Sequence, residues 1–287
     1  NDFNAANEIR KKKINILVDI AGHFARNRFT IFKYKPAPIQ VSWMGYVNTT
    51  GINEIDYILA DPNLIKNEEE DLYSEKVIKM PKIWNCHKGI DENIEVSEAP
   101  FIKNGYLTFG CFNNSSKISE NCINVWTKIL NNIKDCRLII KASTKDSEIA
   151  QKKILEKFKK NNVDISRIIF VNHKKEKIDH LKTYQDIDIS LDTFPYPGVT
   201  TSFESIWMGV PVLTLKGDRY IFHFGENINF NTNMHEWVAK DEKEYIYKAK
   251  VFSSDIETLT KLRRTLRDNI INSGIFDHKT LTDKFEV

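Results

Sequence analysis

Residues 191–214, LDTFPYPGVTTSFESIWMGVPVLT, restrict the fold more than any other stretch of the chain. Ile187, Ile189 and Leu191 alternate with Asp188 and Ser190, the period of a strand, whereas Phe203, Ile206, Trp207 and Val210 recur at helical spacing. Gly209 and Pro211 end that helix, and Val212 to Leu215 begin a second strand. The segment is therefore a strand, a tight turn, a helix and a strand. The same rhythm precedes it. YLTFGCF (106–112), a helix with Ile123, Trp126, Ile129 and Leu130 on one face, RLIIKA (137–142), a charged helix at about 146–160 and RIIFV (167–171) follow one another. Strands alternating with helices predict a parallel sheet covered on both faces, a Rossmann-like domain.

Upstream the pattern is different. INILVDI (14–20) reads as a buried strand, and IQVSWM (39–44), DYILA (56–60) and KVIKM (76–80) as further strands in a loop-rich region short of helices. Residues 81–104 carry prolines and charges without a regular period and read as a crossing between domains. The chain thus divides into 1–85, a linker at 86–104, and 105–287, which turns mostly helical after Asp241. At 287 residues and 41% hydrophobic, there is material for two cores. A net charge of +3 does not call for nucleic acid or an anionic membrane, and no run approaches the length of a spanning helix. Cys86, Cys111, Cys122 and Cys136 form no C-x-x-C pair, which points to reduced thiols and a cytoplasmic setting. The chain opens without methionine, which leaves room for a natural start further upstream.

In open α/β sheets, ligands bind beyond the carboxyl ends of the strands, where helix N-termini present unpaired N–H groups. Three segments of this sequence fall there. Thr201 and Glu204 fit a capping box, which only satisfies helix-end donors. Alternatively, Thr200, Thr201 and the amides after Gly198 hold a phosphate while Glu204 accepts from a sugar hydroxyl. GCFNNSSKIS (110–119) places Asn113, Asn114 and Lys117 at a second strand end, and HKKEKIDH (173–180) places Lys174, Lys175, Lys177 and His180 at a third. Together they suggest a nucleotide diphosphate.

FNNSSKIS, HLKTYQDIDISLDTFPYPGVTTSFESIWMGVPVLTL and the earlier GHFARNRFTIFKYKPAPIQVSWMGYVNTTG with DYILAD, in this order over nearly the whole chain, resemble the catalytic region of the O-GlcNAc transferase/SPINDLY family. The resemblance implies an α/β fold of GT-B type, two Rossmann-like domains facing a cleft, the first incomplete here. It implies an inverting, metal-independent transfer of GlcNAc from UDP-GlcNAc to protein Ser/Thr hydroxyls, with no cofactor. Members similar to SPINDLY transfer fucose from GDP-fucose instead, and a regulatory module without activity is a further alternative. Tetratricopeptide repeats commonly precede the family's catalytic region.

Carried over by position, Lys117 matches a lysine that contacts the diphosphate and stabilises the leaving group, with Asn114 beside it. Lys177 and His180 match a pair near uridine and ribose, Thr200 and Thr201 the threonines on the diphosphate, and Glu204 an acidic residue on the ribose. Val199 stands where animal transferases have histidine, near the sugar. Met44, Gly45 and Tyr46 resemble the segment beside sugar and acceptor, and His23, with Arg28, matches the SPINDLY-like motif and is the second catalytic candidate. Asp186-Ile187-Asp188 forms a D-x-D, a metal-holding pattern in another transferase class, but it sits at a strand start rather than a carboxyl end.

Overall fold

The computed structural model describes residues 1–87, 89–90, 93–142, 148–172, 174–271, 273 and 275–285. Lys88, Asp91 and Glu92 of the expected linker, residues 146–147 of the expected charged helix, and His173 lie outside them. The chain forms two compact units. One comprises Asn1–Cys86, Asp218–His223 and Asp277–Val287, the other His87–Gly217 and Phe224–Phe276.

In the first unit, α1 (Asp2–Lys11) leads to β1 (Ile16–Asp19), α2 (Phe29–Lys33), β2 (Ile39–Ser42), β3 (Tyr57–Ala60) and β4 (Lys76–Lys79). The strands pair in parallel in the order β1-β2-β3-β4. α1 precedes the strand-rich stretch, which itself holds only α2 as α-helix: Asn1 caps α1 by accepting from the Asn4 N–H at 2.9 Å, with Asp2 in its first turn and Arg10 and Lys11 in its last. One expectation is corrected here. β1 is not buried: it takes the edge of this sheet, and Ile16 and Ile20 are 52% and 68% exposed. One hydrophobic cluster of the unit packs Phe32 of α2 against Ile52 and Ile55. The late segment Asp218–His223 is tied in by the Tyr220 hydroxyl, which donates to the Leu59 carbonyl at 2.6 Å, and by His223 against Glu69 at 3.2 Å.

The second unit begins with α3 (Pro100–Asn104), a short helix inside the stretch read as irregular, with Pro100 in its first turn. It continues through β5 (Leu107–Cys111), α4 (Glu120–Asn132), β6 (Cys136–Ala142), α5 (Glu148–Lys160), β7 (Ile168–Asn172) and α6 (Lys177–Lys182). Then come β8 (Ile189–Leu191), α7 (Thr200–Trp207), β9 (Val212–Leu215), α8 (Phe224–Asn231), β10 (Val238–Ala239), α9 (Glu242–Ser254) and α10 (Ile256–Ile271). A last helix, α11 (His278–Phe285), falls in the first unit. Among the described residues the second sheet is six-stranded and parallel, in the order β10-β9-β8-β5-β6-β7. β5 lies inside it with every residue buried, as strands covered on both faces must be. α4 shows the local logic: the Ser119 hydroxyl accepts from the Cys122 N–H at 3.1 Å, Glu120 opens the helix, and Ile123, Trp126, Ile129 and Leu130 are buried. On one face of the sheet, Phe112, Ile139, Leu181, Tyr184, Ile187, Met208 and Val210 make a continuous core.

The D-x-D is structural. Asp188, 4% exposed, accepts from the Thr108 N–H at 2.8 Å and the Phe101 N–H at 3.1 Å, fixing α3 to the start of β5. Burial pushes its carboxyl up to about 6 against those two amides and the charge of Arg263.

Candidate active site

Asp192 directly follows β8 and organises the turn after it. It is 2% exposed, and its Oδ1 accepts from the Gly198 N–H at 2.7 Å, the Asn113 amide at 2.9 Å and the Thr193 N–H at 2.9 Å. Its Oδ2 accepts from the Thr214 hydroxyl at 2.8 Å. Burial raises its pKa, against the Gly198, Thr214 and Asn113 hydrogen bonds and the charge of Lys117. The carboxylate thereby closes residues 193–198 into a compact loop that contains a cis Phe194–Pro195 peptide. Ser119, at the start of α4, donates to the Phe194 carbonyl at 2.8 Å and fixes the loop's far side.

The expected capping box does not form. Val199 precedes α7 with no side-chain cap, and the first intrahelical bond runs from the Phe203 N–H to the Val199 carbonyl at 3.0 Å. The amides of Thr200, Thr201 and Ser202 thus stand ahead of the helical ladder, the usual position of orphan donors. Both box residues have other work. The Thr201 hydroxyl donates to Asn113 Oδ1, while Glu204 Oε2 accepts from His180 Nε2 at 2.9 Å and the Tyr184 hydroxyl at 3.1 Å. The same Tyr184 hydroxyl lies 3.1 Å from the Thr201 carbonyl. Gly198 is required by space: a Cβ there would come within 2.5 Å of Thr201 Oγ1, 2.6 Å of Asn113 Oδ1 and 2.7 Å of Ser202 Oγ.

Lys117 reaches into this loop from the other strand end. Its ammonium donates to the Pro197 carbonyl at 2.7 Å and lies 3.7 Å from the centroid of the Tyr196 ring. Burial lowers its pKa, countered by the charges of Asp192 and Cys111. Asn114 is exposed, its Oδ1 accepting from the Ser116 N–H at 3.0 Å, and its buried neighbour Asn113 is the asparagine hydrogen-bonded to Asp192 and Thr201.

Burial works to raise the pKa of Glu204, but the hydrogen bond and charge of His180, Lys141 and Tyr184 outweigh it and the carboxyl ends below its ordinary value. Lys141, on β6, is lowered by burial and held up by Glu204 and Cys111. Tyr184, fully buried against that carboxylate, is raised well above the usual phenol range. Lys177 is exposed in the first turn of α6, on the same helix as His180. The second unit therefore brings Lys117, Thr200, Thr201, Glu204 and His180 to one sheet edge. Asp192, Asn113, Tyr184 and Lys141 belong with them. A single acidic residue after an apolar strand carried too little pattern to be read from sequence, although the strand-end position of Asp192 in LDTFPYPG was the signal.

In the first unit, His23 and Met44–Tyr46 are adjacent. The Tyr46 carbonyl accepts from the His23 N–H at 2.8 Å, and Tyr46 N–H donates to the Ala21 carbonyl at 3.1 Å. Gly22 and Gly45 both have φ in the left-handed region, and a Cβ on either would lie 2.4 Å from the opposing carbonyl. Met44 takes the same region, at φ 70, with a side chain and hence with strain. The exposed His23 ring packs edge-on against Phe29, and its Nε2 lies 2.9 Å from the Thr49 carbonyl. Only a protonated Nε2 can donate there, so in the neutral ring the lone pair is on Nδ1. The loop that receives it is anchored on buried Glu75, which accepts from Thr49 Oγ1 at 2.9 Å and the Thr50 N–H at 2.6 Å. Arg28 pairs with Asp2 at 2.5 Å. Among the described residues, no group of His, Cys, Asp and Glu side chains could hold a metal ion, and no helix is long and apolar enough to cross a membrane.

The sequence model of glycosyl transferase family 41 matches residues 1–90 and 99–285. A probable UDP-N-acetylglucosamine–peptide N-acetylglucosaminyltransferase SPINDLY from Hordeum vulgare is 35% identical over 283 residues, covering 97% of this chain and 29% of its own length. A solved K341M mutant of the Thermobaculum terrenum O-GlcNAc transferase superposes with a TM-score of 0.90 at 30% identity, over 100% of this chain and 54% of that one. A glycosyltransferase from Rickettsia africae, at 15% identity and a TM-score of 0.64 over 99% of this chain and 80% of its own, shares the fold. The chain spans less than a third of the length of the Hordeum relative.

Proposed function

The chain belongs to glycosyl transferase family 41 and has an α/β fold of GT-B type, and from that premise we propose that it carries the donor-binding and catalytic apparatus of a transferase moving GlcNAc from UDP-GlcNAc to Ser or Thr hydroxyls of proteins. The observation that carries this reading is the closed loop at 192–201, with Lys117 lodged against it and helix-end amides beside it. Such a site suits a diphosphate, because fixed N–H donors and an ammonium offset anionic charge without reorganising.

In this reading the acceptor oxygen attacks the anomeric carbon from the face opposite UDP, the bond from that carbon to the β-phosphate oxygen breaks, and configuration inverts. Charge grows on the leaving phosphate. Lys117 and the amides of Thr200 and Thr201 stabilise it, and Glu204, held ionised by His180, keeps Oε1 for a ribose hydroxyl, with Lys177 on the nucleoside side. Asn114 contributes from the loop rim, and Val199 borders the donor sugar. We assign Met44, Gly45 and Tyr46 to the sugar and acceptor side and His23 Nδ1 to receipt of the hydroxyl proton, the role its Nε2–H tautomer permits. No metal or cofactor enters this scheme, and the protein works in the cytoplasm on protein or peptide acceptors, with tetratricopeptide repeats in the full-length chain.

Titration with UDP, GDP and UDP-GlcNAc, with and without EDTA, tests the donor assignment. UDP stabilisation that survives EDTA and is lost in Lys117→Met supports it. Stabilisation by GDP alone would move the donor to GDP-fucose, and no response to any nucleotide would leave a binding module without this chemistry. For His23, transfer of labelled sugar to a peptide should collapse in His23→Asn while UDP affinity holds.

A further inference from the structure

Lys117 is a half-buried cation flanked by one carbonyl and one aromatic face. Its ammonium lies 3.7 Å from the Tyr196 ring centroid, well inside the range over which a ring's negative face attracts a cation. One hydrogen bond, to the Pro197 carbonyl at 2.7 Å, comes from the next residue of the same loop. That loop cannot drift, since Thr193 Oγ1 donates to the Tyr196 carbonyl at 2.8 Å and Gly198 N–H is held by Asp192 at 2.7 Å. The ring and the carbonyl therefore reach the ammonium from a fixed frame. We propose that Tyr196 is a positioning residue for Lys117, its ring face keeping the ammonium charged and directed at the anion-binding turn in the absence of ligand.

The physical need is plain. Burial of Lys117 disfavours its charged form, and the groups that oppose this through charge are Asp192 directly after β8 and Cys111 at the end of β5. Asp192 gives the larger of these two supports, while the Cys111 thiol is itself pushed well up by burial, which leaves it neutral and of little help at physiological pH. A π face adds attraction for the cation without introducing an anion that would repel a bound diphosphate. That distinguishes Tyr196 from a carboxylate in the same place. The role in transfer rests on the donor-site reading above, whereas the effect on Lys117 itself does not.

The two are separable by experiment. Competitive acetylation followed by peptide mass spectrometry gives the pH at which Lys117 is half deprotonated in the unliganded protein. In Tyr196→Leu this midpoint should fall by about half a unit to one unit, the size of an exposed to partly desolvated cation–π contact. Tyr196→Phe, which keeps the face, should hold the wild-type midpoint. Pentafluorophenylalanine at position 196 keeps the shape and reverses the face, and should behave as leucine does, which covers the case of a leucine variant that fails to fold. A midpoint unmoved by either leucine or the fluorinated ring overturns the proposal, as does a phenylalanine variant that falls with them. UDP titrated into the same proteins reports on the donor site independently: wild-type protein that binds no UDP refutes that reading whatever the labelling gives. If both hold, the affinity deficit of Tyr196→Leu should widen as pH rises, reaching about three- to tenfold once its Lys117 is neutral and the wild-type one is not.

Discussion

Gly198→Ala tests the central claim that the turn after β8 is a close-packed cradle. Gly198 has no left-handed φ, so alanine meets no backbone penalty, and its amide is retained. The perturbation is steric alone. The new methyl would sit 2.5–2.7 Å from Thr201 Oγ1, Asn113 Oδ1 and Ser202 Oγ, where ordinary contact needs nearly 1 Å more. Thr201 and Asn113 hydrogen-bond each other, and the Asn113 amide also donates to Asp192 and Thr193, so neither side chain can retreat without breaking a buried bond. Overpacking of this kind costs about 1–3 kcal/mol. Urea unfolding should register that loss. Isothermal titration should show UDP weakened by about ten- to a hundredfold, because the first turn of α7 shifts with Thr201. Wild-type stability together with wild-type UDP affinity would refute both the tight packing and the assignment of this turn to the diphosphate. Lost stability with unchanged affinity would keep the packing and move the phosphate elsewhere.

Other substitutions separate support from contact. Lys117→Met should leave thermal stability nearly intact while lowering UDP affinity by about ten- to a hundredfold, as loss of one charge-assisted bond implies. Asp192→Asn turns an NH2 toward donors that a carboxylate had satisfied, at about 1–3 kcal/mol for each left unpaired, and should show in the unfolding midpoint. The lowered pKa of Glu204 fixes a pH sign: its stabilisation is present above the unfolded glutamate value and disappears as pH falls through the lower folded one. The stability gap between wild type and Glu204→Gln should therefore be widest near neutrality and close in acid below 4.5, as measured by denaturant titration across that range. Tyr220→Phe removes a buried donor from the Leu59 carbonyl and should cost about 1 kcal/mol or more, without effect on UDP binding.

Much of the frame was legible. The alternating periods after residue 105 match β5 to β9 to within a residue or two, since a strand buried on both faces and an amphipathic helix leave different marks on a sequence. The N-terminal helix went unread because its face is weakly apolar, although Asn1, Asp2, Arg10 and Lys11 carry its end signals. Sheet order carried no local mark either. Nothing in INILVDI distinguishes an edge from a centre, so Ile16 and Ile20 read as buried and are exposed. Lys117, Thr201, Glu204 and His180 were singled out by their strand-end positions, and the fold brings them to one edge of the second sheet. Their pairings were not legible, because Asn113–Asp192, His180–Glu204 and Lys117–Tyr196 join residues 24 to 79 positions apart.

The sequence by itself determined the class of fold, the family and which strand ends bear polar side chains, because periodicity and motif order are properties of neighbouring residues. Tertiary structure alone decided what those side chains do. It converted an apparent capping box into a Glu204–His180–Tyr184 cluster and a Thr201–Asn113 link, and it turned the D-x-D into a brace for α3. The physical reason is one of competition. A helix-end amide can be served by a nearby hydroxyl or by a ligand, and only the packing of three distant strand ends against one another shows which side chains are already taken.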